Sequence, residues 1–264
     1  MSAAILACVA IKSRLTHPGK MNYTCLPLTT QQGEHMKQQY GWWMPDRETH
    51  FPEHFKKQRH KETPAPYQRR QRNWALGFVD EWRHCLDVGG NIGTWSRELC
   101  DRFDRVTAWE PQEDARDCYV KNVHQSNYTL HPQGLGEQEA VMKFYQHDVS
   151  CGNASLRKEG VLEGPSDDKP TDENLVEQEI EVVTLDSYRY TDVDFIKIDV
   201  QGYEWEVLKG ATALLTACQP TLCLELPTRT DKERILKHLI TEWLKQFNYR
   251  LEGNMNKETV YTAR

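Results

Sequence analysis

A run of nine residues, Leu86-Asp87-Val88-Gly89-Gly90-Asn91-Ile92-Gly93-Thr94, carries an apolar strand-like stretch through a glycine turn into a helical one. Glycine lets the backbone approach a ligand closely, and the helix that follows presents N–H groups with no intrahelical acceptor. A cofactor fits such a crevice. Any tight turn needs glycine, however, so the surrounding residues decide. A second strand-like run, Arg105–Trp109, ends at Glu110-Pro111, about 20 residues past the turn, the place from which a carboxylate accepts both hydroxyls of a ribose. Glu110 is the candidate ribose ligand; the plainer reading is that it caps a helix beginning near Pro111. The turn reads G-G-N-I-G, not the G-x-G-x-x-G that seats a pyrophosphate, and Asp87 stands where a dinucleotide's phosphates would be repelled. A cofactor with an amino-acid tail and no phosphate fits better.

The second constellation is Asp194-Phe-Ile-Lys197-Ile-Asp199-Val-Gln201-Gly202-Tyr203-Glu204-Trp-Glu206-Val-Leu-Lys-Gly210-Ala. Strand alternation puts Phe195, Lys197 and Asp199 on one face, with Asp199 at the carboxyl end, where sheets of this class bind ligands. A charged Lys197 inside an apolar strand needs a partner, and Glu225 in Thr221-Leu-Cys-Leu-Glu225-Leu is the candidate. That pair is readable equally as structural.

Six segments together resemble the FkbM-type methyltransferases, S-adenosylmethionine-dependent enzymes with many O-methylating members. They are LDVGGNIGTWS at 86–96, AWEP at 108–111, GLG at 134–136, NASL at 153–156, VVTLDSY at 182–188 and DFIKIDVQGYEWEVLKGA at 194–211. The resemblance runs in order from about Arg83 to Pro227. It implies S-adenosylmethionine as the cofactor, its methionine end at Asp87, Gly89 and Gly93 with Gly90 and Asn91 in the same turn, its ribose at Glu110-Pro111, and its adenine bordered by 133–136, with Gln133 and Gly134 foremost. The implied chemistry is in-line displacement at a sulfonium methyl, where the enzyme aligns the acceptor and removes its proton. Asp199 and Glu204 are the base candidates, and Lys197 joins them as a catalytic candidate. Glu204 is also readable as the residue that merely opens a helix after Gly202. Tyr203, Asn153 and Ser155 are candidates for the acceptor pocket. The family pattern D-x-E-G-x-E has Glu where this chain has Gln201, which weakens a carboxylate trio as a metal site, and no metal is assigned.

These residues require a sheet to position them. Short β-rich runs alternate with helical ones from Arg83 onward, predicting a Rossmann-like α/β domain with a seven-stranded, mostly parallel sheet and helices on both faces. The predicted strands are His84–Val88, Arg105–Trp109, Tyr128–His131, Phe195–Val200, Thr221–Leu226, Tyr249–Glu252 and Thr259–Thr262. Helices are predicted over Thr94–Arg102, Gln112–His124, Glu204–Ala217 and Asp231–Phe247, preceded by an amphipathic one over Arg72–Trp82. Val141–Gln146 and Glu179–Leu185 read as an insertion of two strands between the third and fourth main ones. The acidic stretch Glu159–Glu179 between them reads as a mobile loop.

Residues 1–67 read as an N-terminal arm and 68–264 as the catalytic domain. The arm's aromatics, Tyr40, Trp42, Trp43, Phe51, Phe55 and Tyr67, suggest a segment that packs on the domain or covers its site. His50 and His54 are not read as metal ligands, because Pro52 between them is expected to break the helix that would align them. The basic stretch from Lys56 to Arg72, including Arg59 and Lys61, reads as a solvated face.

The chain has 264 residues and a net charge of −6, so no global positive field draws a polyanion. A nucleic-acid partner is disfavoured. The eight cysteines are scattered without a C-x-x-C pair, which fits a reducing, cytoplasmic setting. The apolar run Ala3–Ile11 is too short to span a bilayer, and its cations Lys12 and Arg14 follow it, so neither a membrane partner nor an export signal is expected. The leading expectation is O-methylation of a hydroxyl on a sugar, glycan or small molecule. A methyltransferase acting on protein or nucleic acid, and a nicotinamide-dependent oxidoreductase on a similar fold, stand as alternatives.

Overall fold

The computed structural model describes residues 10–12, 23–25, 35–58, 63–162, 171 and 174–263. Strands β1 (Ala10–Lys12) and β2 (Tyr23–Cys25) pair antiparallel, while Ala3 to Val9, Arg14, Arg59 and Lys61 lie outside the described residues. A hairpin follows, β3 (Met36–Gln39) and β4 (Trp42–Pro45). Its two-residue turn, Tyr40-Gly41, has positive φ at both positions (53° and 80°), the twist that suits a tight hairpin.

Helix α1 (His50–Gln58) runs through Pro52 without a break, contrary to the sequence expectation. Proline sits there in the first turn, where backbone N–H groups have no intrahelical acceptor to lose. Helix α2 (Arg69–Leu76) starts and stops earlier than expected, because Gly77 turns the chain and donates to Asn73 O and Trp74 O. Phe78, Val79 and Trp82 pack half-buried beside it from irregular backbone.

The main sheet opens with β5 (His84–Val88), α3 (Ser96–Cys100), β6 (Arg105–Trp109), α4 (Glu113–Asn122) and β7 (Tyr128–His131), its three strands on the predicted residues. A second, four-stranded sheet intervenes: β8 (Gly134–Leu135), β9 (Ala140–His147), β10 (Ser150–Ser155) and β11 (Leu175–Val183), in the order β10-β9-β11-β8. The expected insertion strands are β9 and β11, in antiparallel register from Leu175↔His147 to Val182↔Ala140. The expected loop Glu159–Glu179 is shorter than predicted, since α5 (Lys158–Leu162) and β11 take up both its ends. Residues 163–170 and 172–173 lie outside the description.

The chain then returns to the main sheet through β12 (Val193–Ile198), α6 (Glu204–Lys209), α7 (Thr212–Cys218), β13 (Thr221–Glu225), α8 (Asp231–Leu244), β14 (Tyr249–Met255) and β15 (Glu258–Ala263). The single helix expected over Glu204–Ala217 is broken in two at Gly210. A Cβ there would come within 2.0 Å of Gly136 O, so the crossing fixes glycine and the helix yields.

The sheet order is β14-β15-β13-β12-β5-β6-β7, with β15 antiparallel to both its neighbours and the rest parallel. Alternation divides its buried side chains between two cores. Leu86, Val88, Ile196, Ile198, Leu222 and Leu224 face α6, α7 and α8, while Cys85, Val106, Ala108, Phe195 and Cys223 face α2, α3 and α4. Chain order reverses between β5 and β12, and beyond the carboxyl ends of those two strands lies the crevice in which such sheets bind ligands.

Candidate active site

One cavity of about 790 Å³ lies along the carboxyl edge of the main sheet. Its first half is built on β5, β6 and β7. Gly89 and Gly90 both donate to Trp109 O (3.0 Å each), which folds the turn back onto β6. Gly89 has φ 81°, and a Cβ on it would sit 1.9 Å from Asp199 O. Asn91 N donates to Glu110 Oε2 (2.9 Å) and Gln112 N to Glu110 Oε1 (2.8 Å), so the carboxylate is aimed by backbone. Burial pushes the Glu110 carboxyl up to about 7, against the opposing pull of those two N–H groups. Pro111, Gln133 and Gly134 complete this wall. Gln133 Nε2 donates to Glu181 (3.1 Å), while its Oε1 is buried without a partner.

Two predicted cofactor residues do not reach the cavity wall. Asp87 is fully buried behind the turn, accepts from Ser96 Oγ (2.5 Å) and pairs with Lys197 Nζ (3.3 Å). Gly93, at φ 86°, serves the packing of the turn, since a Cβ there would lie 2.6 Å from Val123.

The second half is built on β12, β13 and the start of β15. Lys197 donates to Gly89 O (3.0 Å) and lies 3.8 Å from Asp199. Its partner is thus Asp87, not Glu225: the parallel register puts Lys197 opposite Asp87 on β5. Although burial works against the charge, Asp87 and Asp199 hold the ammonium above its usual range. Glu225 instead accepts from Lys257 Nζ (3.0 Å) and from Gln201 Nε2 (2.7 Å). Asp199 lines the cavity. Burial raises its carboxyl, but Lys197, the hydrogen bond from Glu225, Lys257 and Gln201 together outweigh that and keep it below the ordinary range.

Glu204 opens α6 and stays off the cavity wall. Its Oε1 accepts from Val200 N and Gly202 N (3.1 Å each), so it braces the loop that carries Asp199. Burial pushes its carboxyl up to about 7. As a base candidate it is therefore set aside. Tyr203, Asn153 and Ser155 do line the cavity.

The arm, whose aromatics suggest a segment that packs on the domain or covers its site, supplies a further wall. Trp42, Met44, Phe51 and Phe55 pack with Ile92, Ala115, Cys118 and Cys151, and His50, His54, Lys57 and Tyr67 face the cavity, with Gln68 just beyond the arm beside them. Burial first, and then the carboxylates of Asp199, Glu225, Glu258 and Glu48, raise the Tyr67 hydroxyl well above its usual range. Sequence reasoning missed Lys257 and Glu258. Their signal is register: Glu258 is the cross-strand partner of Glu225 on the antiparallel β13–β15 pair. Among the described residues no group of three or more His, Cys, Asp or Glu is placed to hold a metal ion.

The family described as "Methyltransferase FkbM domain" matches residues 87–251. "Methyltransferase 1" of Beauveria bassiana is 27% identical over 144 residues, 47% of this chain and 57% of that protein. "Hexuronic acid methyltransferase AglP" of Haloferax volcanii is 26% identical over 153 residues, 58% of this chain and 59% of that protein. The chain thus spans less than three-fifths of the length of these curated relatives. Among solved structures, a methyltransferase FkbM from Methylobacillus flagellatus KT is 18% identical with a TM-score of 0.47, covering 72% of this chain and 47% of its own.

The first half of the cavity fits S-adenosylmethionine by its own chemistry. It offers a buried carboxylate for hydroxyl donors, an unpartnered buried amide oxygen at Gln133, and a glycine turn whose Gly89 and Gly90 line the cavity.

Proposed function

The chain belongs to the FkbM methyltransferase family, and from that premise we propose that it moves a methyl group from S-adenosylmethionine to a hydroxyl of a sugar, glycan or other small-molecule acceptor. The cofactor is S-adenosylmethionine, which supplies an electrophilic methyl on a positively charged sulfur. Glu110 is its ribose ligand, the Gly89-Gly90-Asn91 turn receives its amino-acid end, and Gln133 and Gly134 border its base. Asp87 and Gly93 act from behind by fixing the turn.

Asp199 is the base: it stands where the two halves of the cavity meet, beside Gly89, and takes the proton from the acceptor's hydroxyl as the oxygen is alkylated. Lys197 keeps Asp199 ionised. The arm through residue 67 forms the acceptor wall of a domain beginning at residue 68, its aromatic rings suited to the apolar face of a sugar. The relative named for hexuronic acid supports a sugar acceptor. The net charge of −6 supports a small acceptor over a polyanion. Cys85, Cys100, Cys118, Cys151, Cys218 and Cys223 are free thiols, all but Cys218 buried, which supports a reducing, cytoplasmic setting.

The observation that carries this reading is the continuity of one cavity from Glu110 to Asp199 across the strand-order reversal. Calorimetric titration with S-adenosylmethionine, S-adenosylhomocysteine and NAD tests it. Micromolar binding of both sulfur nucleosides, weakened in Glu110→Ala and absent for NAD, is expected. Binding of NAD alone would favour the oxidoreductase reading instead.

A further inference from the structure

Gln201 occupies a backbone conformation that suits glycine, yet what it contributes is a side chain. Its φ is 53°, in the left-handed region. The strain is held by neighbours on both sides: Glu204 grips Val200 N and Gly202 N, and α5 presses so close that a Cβ on Gly160 would lie 2.2 Å from Gln201 O. From that position the amide nitrogen donates to Asp199 Oδ1 and to Glu225 Oε2, both at 2.7 Å, using both of its hydrogens.

We propose that Gln201 is a positioning residue that clamps Asp199 and Glu225 into one proton-sharing acid pair, with Asp199 left as the open carboxylate that receives the acceptor's proton and Glu225 as its protonated partner. The inference rests on the reading of Asp199 as the base and deepens it. Two carboxylates held by one amide cannot both ionise cheaply. Burial and then Asp199 raise Glu225 well above the carboxylate range, and Asp199 is held below it. The titratable groups that face the pair are Lys197 and Asp87 from β12 and β5, Lys257 from the turn before β15 and Glu258 from its start, Glu204 from α6 beneath, and the Tyr67 hydroxyl from the arm. The clamp keeps the pair together. It also holds Oδ1, so that Asp199 meets Lys197 only through Oδ2, at 3.8 Å.

The test is a pH titration of the full chain by carboxyl-carbon NMR, run on wild type, Gln201→Met and Glu225→Gln, with S-adenosylhomocysteine binding measured by calorimetry on each. Wild type is expected to show linked steps on either side of the ordinary carboxylate range. Gln201→Met removes a charge-assisted hydrogen bond and is expected to raise the Asp199 step by about one pH unit. Glu225→Gln is expected to abolish the upper step and move the lower one. If Gln201→Met does not fold, Gln201→Asn, which keeps the amide but cannot span both acids, is expected to shift the Asp199 step in the same direction. An Asp199 step unmoved in the folded Gln201 variant and in Glu225→Gln, with nucleoside binding intact, overturns the clamp alone. Wild type that fails to bind S-adenosylhomocysteine overturns the methyltransferase reading and leaves the titration result standing.

Discussion

The two halves of the cavity solve the burial of charge in opposite ways. On the β5–β6–β7 side a single carboxylate, Glu110, is held by backbone N–H groups and pushed up to about 7 by burial. On the β12–β13–β15 side Asp199, Glu225 and Glu258 are crowded together and are balanced by Lys197, Lys257 and one amide. A site built from main-chain donors is set once the turn folds. One built from mutually compensating charges fails as a group, since removing any member leaves the others uncompensated in a poorly hydrated place.

Substitutions should separate the halves. The largest effect is expected at Asp199→Asn, about a thousandfold loss of methyl transfer to a hydroxyl acceptor with S-adenosylhomocysteine affinity nearly unchanged; equal losses in both would erase the distinction between the halves. Lys197→Met leaves Asp87 buried without its cation, so urea unfolding should show a loss of about 3 kcal/mol. A neutral result would mean that Asp87 is satisfied by Ser96 alone. Glu110→Ala is expected to weaken nucleoside binding about a hundredfold in calorimetry, from the loss of two hydrogen bonds to ribose, and to cost about 1–3 kcal/mol in urea unfolding because Asn91 N and Gln112 N lose their acceptor. The smallest effect is one of pH. With the Glu110 carboxyl at about 7, its ionised form, the stronger acceptor for ribose hydroxyls, fills as pH rises, so affinity should increase up to about tenfold between pH 6 and 8. The increase should vanish in Glu110→Gln.

The same contrast explains what could be read from the chain alone. The first half is local: strand, glycine turn, strand and carboxylate follow one another within 27 residues, His84 to Glu110, so β5, β6, Glu110 and the turn were legible from spacing. The second half depends on which residues face each other across strands. Lys197 could be recognised as a buried charge, but its partner was misassigned, because only the β12–β5 register reveals Asp87 opposite it. Glu258 lies 33 residues beyond Glu225 in sequence and becomes its neighbour only because β15 runs antiparallel. Helix α6 and the broken helix after it show the same limit. The residues from Glu204 to Ala217 have continuous helical character, and the break at Gly210 is imposed by Gly136, 74 positions earlier.

The arm is fastened at several independent points. Arg47 bonds Asp114, Gln112 and His147 O, the fully buried Glu48 accepts from Cys151 N (2.7 Å) and from Phe51 N in α1, and Asn122 exchanges two hydrogen bonds with the backbone of Trp43. Moving it would strand a buried carboxylate. A wall held this way has a fixed shape, a gauge and not a door, and on the proposed reading it would limit acceptors by girth. Retuning which molecules enter would therefore be a matter of trimming or lengthening single side chains such as His50 and His54 along α1, with no need to redesign a hinge.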